Sequence, residues 1–97
     1  MIDLNAMTAE DFALIEGMEF MIVSVEPAVR LKLIEVRKLG AGERKGGAFS
    51  LLWQGPPHPV LPQATYQMSQ DTIGSHDIFL VPVSWKDAGV EYEAIFT

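Results

Sequence analysis

Few side chains in this sequence could do chemistry, and they are widely spaced. The two histidines, His58 and His76, show no His-x₃-His spacing, and there is no cysteine to complete a thiolate zinc set. His76 with Asp71 and Asp77 is the one grouping near enough in sequence to consider for a metal. Ser75-His76-Asp77 contains the residue types of a hydrolase triad. Consecutive side chains on an extended chain point to opposite faces, so these three cannot form a relay in that order.

The run Gly40-Ala41-Gly42-Glu43-Arg44-Lys45-Gly46-Gly47 has the glycines and cations of a phosphate loop. A Walker loop needs Gly-Lys-Ser/Thr opening a helix, whereas here Lys45 precedes the glycines and Phe49 begins a strand. The glycines suit the positive φ values of a long hairpin turn, mobile on the nanosecond timescale. Glu91 and Glu93 share one face of a strand, a solvated arrangement rather than an acid–base pair. No catalytic, cofactor-binding or metal residue is assigned, and the chain reads as non-enzymatic.

Charge supplies a candidate interaction patch instead. The net charge is −6, which argues against nucleic-acid binding. Six of the seven cations fall between residues 30 and 45, making that segment +4 and the remainder −10. Arg37, Lys38, Arg44 and Lys45 could face an acidic protein partner or a second copy in a weak, salt-sensitive homo-oligomer. The competing reading is a solvated hairpin whose charged edge resists aggregation. Trp53, Tyr66, Trp85 and Tyr92 could stack on a sugar or base. Trp53 and Tyr92 lie in phase with apolar neighbours and belong to a core, which leaves Trp85, beside the Lys86–Gly89 turn, as the aromatic to add to the patch.

The elements that must position these groups follow from periodicity. Thr8 and Asp11 approximate a capping box, Met7 and Phe12 a hydrophobic staple, and Phe12 and Ile15 a buried stripe joined by Leu14 and Met18. With Gly17 as the stop, a helix over 8–16 is predicted. Beyond it the period becomes two. Strands are expected through Phe20–Val25, Val29–Lys38, Phe49–Gln54, Thr65–Met68, Ile78–Val83 and Val90–Phe96, with a phase slip or bulge near Leu33–Ile34. Pro82 places one end of its strand near an edge or bulge, and that strand could offer an unpaired edge to a partner. Pro56, Pro57, Pro59 and Pro62 make residues 55–62 a stiff crossover, where Gln63 could satisfy backbone groups.

The chain, residues 1–97, is expected to be one mainly β domain: a six-stranded antiparallel barrel or sandwich with one short N-terminal helix. The 48% hydrophobic content suits a packed core. Residues 1–10 lack a basic n-region and no apolar run approaches the roughly 20 residues of a membrane helix, so a soluble cytoplasmic protein with no membrane partner is expected. The absence of cysteine fits a reducing compartment.

Leu61-Pro62-Gln63-Ala64-Thr65-Tyr66, Ile78-Phe79-Leu80-Val81-Pro82-Val83 and Tyr92-Glu93-Ala94-Ile95-Phe96, with Phe49-Ser50-Leu51-Leu52 and Gly55-Pro56 upstream, resemble an uncharacterised family of small bacterial proteins, a domain of unknown function. The resemblance runs from the Thr8–Phe12 helix start to Phe96. That family usually has Gly where this chain has Ala64, so the turn there is expected to differ. The resemblance implies no activity. Proteins of this kind are encoded near phage-tail-like proteins, which would suggest a structural or assembly role, as part of a phage-tail-like assembly. The function expected is therefore a structural or protein-interaction module, the alternative being a β-barrel that takes a small ligand at its mouth, with no cofactor in either case. A flat apolar patch would favour the first and a deep pocket with convergent polar groups the second.

Overall fold

Thr8 starts the helix in the computed structural model of the chain, which describes residues 3–44 and 46–97. Its hydroxyl accepts from Asp11 N, and the Asp11 carboxylate accepts from Thr8 N, completing the capping box. A 3-10 turn, Leu4–Ala6, precedes this helix, α1, which runs Ala9–Ala13. It is shorter than the 8–16 predicted. Residues 14–17 continue as a turn, and Gly17 reverses the chain at φ +89°. Phe12 and Ile15 are buried, whereas Leu14 and Met18 are exposed. So short an element presents only its i and i+3 positions to the sheet, and Leu14 lies on the far side.

The six strands are β1 (Glu19–Ile22), β2 (Val29–Gly40), β3 (Ala48–Gln54), β4 (Ala64–Gln70), β5 (Gly74–Lys86) and β6 (Gly89–Phe96). Every pairing is antiparallel, and the order β1-β2-β3-β6-β5-β4 returns from β4 to β1, so one sheet closes into a ring. The phase slip at Leu33–Ile34 is a register shift between Leu33 and Glu35. A second shift lies between Pro82 and Ser84, where proline cannot donate to the ladder. The segment Ile78–Val83 is not unpaired along its length: it is bonded to β4 as far as Leu80 and to β6 from Val81 onward. The strand also runs beyond the predicted bounds, because tight turns at both ends let the pairing continue to the hairpins.

The ring is filled. Phe20, Ile22, Leu31, Leu33, Leu51, Trp53, Met68, Leu80 and Tyr92 point inward, each with at most 2% of its surface exposed. Phe12 closes one end, its ring centroid 5.6 Å from that of Phe49 and 5.9 Å from that of Phe96. The proline crossover closes the other, with Leu61 buried beneath it. Leu61 N donates to Tyr92 Oη (3.0 Å), Tyr66 Oη donates to Pro62 O (2.5 Å), and Gly55 N donates to Val90 O (2.8 Å). A Cβ at position 55 would lie 2.7 Å from Leu31 Cδ2, so any larger residue there would have to displace that side chain.

Candidate interaction surfaces

The residues singled out as an interaction patch do not come together. Arg44 turns inward, donating to Leu4 O (2.8 Å) and Met7 O (3.0 Å), with its guanidinium over the Phe49 and Phe96 rings. It is a clamp on the N-terminal cap. Lys38 is engaged by Glu10, and Arg37 lies 3.3 Å from Glu35. Lys45 lies outside the described residues. Trp85 is 62% exposed, as its position beside a turn predicts, but it sits at the opposite end of the ring. Lys38 pairs with Phe49 at the helix end of β3, whereas Trp85 pairs with Val90, next to the Glu91 that faces Gln54 at the crossover end. Carboxylates from outside offset half of the segment's +4, Glu19 on Arg30 and Glu10 on Lys38, the Arg37–Glu35 pair being already counted within it.

The remaining chemical candidates are also dispersed. His76 Nε2 lies 2.6 Å from Ile73 O, and its ring is paired across the sheet with buried Met68. Ser75 and Asp77 stand opposite Ser69 and Gln67 on the outer face, so the three do not converge. Among the described residues, no group of three His, Asp or Glu side chains gathers to hold a metal ion. His58 is exposed on the crossover. Gln63 is exposed too, and the hydroxyls of Tyr66 and Tyr92 serve the crossover backbone that Gln63 was expected to serve. The structural amide is Gln70, buried at the β4–β5 hairpin, whose Oε1 accepts from Thr72 N (2.7 Å) and Ile73 N (3.0 Å). Its place immediately before an Asp-Thr turn was the available signal.

Two ionisable groups are displaced from their ordinary behaviour. The hydrogen bond from Lys38 holds the Glu10 carboxyl below the usual carboxylate range. Burial raises the Tyr66 phenol above its ordinary value, and the neighbouring Tyr92 adds to the effect. Neither group faces a constellation that would use the shift for acid–base work.

Three surface features remain. The first is the outer face of β3, β6 and β5. Outward alternation places Leu52, Glu93 and Val81 in one row across it. In the next row Ser50 pairs with Ile95 and Phe79 with Thr65, while the β5–β6 pairing itself ends at Val81–Glu93. Phe79 is 50% exposed and Ile95 58%, with Val83 exposed at the bulge. The second is a groove of about 400 Å³ at the crossover end, lined by Leu31, Arg30, Lys32, Pro56, His58 and Pro59 among others. The third is a groove of about 350 Å³ between the N-terminal cap and the β4–β5 hairpin.

Among the described residues, no helix is long and apolar enough to cross a membrane. No curated protein and no solved structure matches the chain. A family does match: residues 7–96, from the staple residue Met7 to the last residue of β6, fit the family described as Domain of unknown function (DUF6916), and the chain belongs to that family.

Proposed function

We propose that this domain is a non-enzymatic protein-interaction module that docks a partner against the outer face of β5, β6 and β3. The observation that carries the reading is the exposure of Phe79, Val83 and Ile95 at outward positions of the neighbouring strands β5 and β6, Phe79 and Ile95 with half or more of their surface exposed. Several large apolar side chains exposed on one face of a folded domain favour an interaction surface. Every strand has a neighbour on each side in the ring, which favours a partner that packs through side chains over one that joins by β-augmentation. The partner is therefore a protein with an apolar face of its own. The alternative, a small ligand at a barrel mouth, has less support because Phe12 occupies one mouth and the Leu61 crossover the other. The net charge of −6 supports a partner other than nucleic acid, and the absence of cysteine supports a cytoplasmic setting.

The test is a double variant, Phe79→Asp/Ile95→Asp. Both side chains point outward, so the unfolding midpoint should move little, within roughly 1 kcal/mol. Affinity capture from the source cells should retain a specific partner with the wild-type chain and lose it with the variant. Identical capture by both would remove the face from the account.

A further inference from the structure

Independently of the sheet face, we infer that the groove between the N-terminal cap and the β4–β5 hairpin is a second binding site, for a peptide segment of a protein partner in which an apolar side chain is flanked by Lys or Arg. The groove shares no residue with the β5–β6–β3 face. Its floor is apolar, made by the buried side chains of Met7, Ile15 and Ile73, and Leu14 stands at its edge with 79% of its surface exposed. A volume of about 350 Å³ accommodates one or two apolar side chains, at the lower end of the range for binding sites.

Charge determines what must flank them. Asp3 and Asp11 line the rim. Each uses one carboxylate oxygen on a backbone N–H, Asp3 on Asn5 and Asp11 on Thr8, which leaves the other oxygen able to meet a cation. Glu16 follows Ile15 in sequence and Asp71 precedes Thr72, and both are exposed, so the surroundings are acidic as well. The described cations of the cap do not offset this: Lys38 is engaged by Glu10, and Arg44 is turned inward onto the Leu4 and Met7 carbonyls. An apolar floor under an acidic rim favours a basic, apolar-anchored segment and repels an acidic one.

Amide NMR titration of the full chain tests this. Two pools of synthetic seven-residue peptides carry the same central Leu, Ile or Phe, flanked by Lys and Arg in one pool and by Glu in the other. The basic pool should shift the amides of Met7, Leu14, Ile15 and Ile73 saturably, more weakly as salt is raised, while the acidic pool should bind at least tenfold more weakly. In Asp3→Asn/Asp11→Asn the amide oxygens keep the capping acceptors, so the fold should persist and the preference for the basic pool should fall at least fivefold. Equal shifts from both pools, or none from either, would overturn the proposal. So would the same shifts appearing with protein concentration alone, which would make a second copy the occupant.

Discussion

Arg44 lies over Phe49, with its guanidinium carbon 5.3 Å from the ring centroid, and from that position it reaches the carbonyls of Leu4 and Met7. One side chain thus joins the β2–β3 loop, an aromatic pair at the end of the ring and the segment that precedes α1. The aromatic pair, Phe49 and Phe96, is itself stacked at 4.9 Å. The cap is held by chemistry as well as by the burial of Phe12.

Arg44→Met is predicted to destabilise the domain by about 2–3 kcal/mol, since hydrogen bonds to a charged group are worth roughly 1.5–3 kcal/mol and the cation–π contact up to about 1 kcal/mol. For a chain of this size that is a fall in Tm of about 10 °C. Arg44→Lys should recover only part of it, because an ammonium lacks the planar fork that lies on the rings while donating sideways. Unfolding followed by circular dichroism decides it, and an unchanged Tm in Arg44→Met would mean that the clamp is dispensable.

Phe12→Ala is predicted to cost about 3–5 kcal/mol, the usual loss for a fully buried Phe. Removal of residues 1–17 should destabilise the ring while leaving its strand pairing recognisable in amide exchange. An unfolding midpoint unchanged in Phe12→Ala would show that α1 does not contribute to the core.

The two hydroxyl bonds to the crossover give a pH prediction. Tyr66 has a raised pKa in the folded state, caused first by burial and then by Tyr92. The folded chain therefore holds this proton more tightly than the unfolded chain does. Its contribution is complete below the ordinary tyrosine value of about 10 and is lost as pH rises through the higher folded value. Denaturant unfolding from pH 8 to 11 should show stability falling above about pH 10. Tyr66→Phe, which also lacks the bond to Pro62 O, should start less stable by roughly 1 kcal/mol and lose less over that interval. A parallel decline in both proteins would assign the alkaline loss to other groups.

What could be read from the sequence was what depends on near neighbours. Thr8 and Asp11 are three residues apart, so their mutual capping is visible in the chain, as is the stop at Gly17. Alternation identified every strand, and the slip at Leu33–Ile34 announced its bulge. A closed sheet was one of the two architectures the strand count allowed, but the order in which it closes was not legible, because β1 meets β4 through only two paired positions some 47 residues apart, Met21 with Ser69 and Ile22 with Met68. The candidate patch failed for the same reason. Arg44 looked like one of a run of surface cations until the carbonyls 37 and 40 residues before it supplied partners. The apolar face was hidden in plain alternation: Phe79 and Ile95 occupy outward positions of strands whose inward positions are equally apolar, so only the neighbouring of β5 and β6 in the ring reveals a shared surface.

The most direct test of the interaction account uses a photoreactive amino acid placed at position 79 of the otherwise unmodified chain and, as a control, at exposed Gln67 on neighbouring β4. Irradiation in the source cells followed by electrophoresis and mass spectrometry reads which position touches another protein. A discrete cross-linked protein is expected from position 79 and should be absent or much weaker from position 67. Equal or no cross-linking at the two positions would contradict the claim that the outer face of β5, β6 and β3 is where this domain meets its partner.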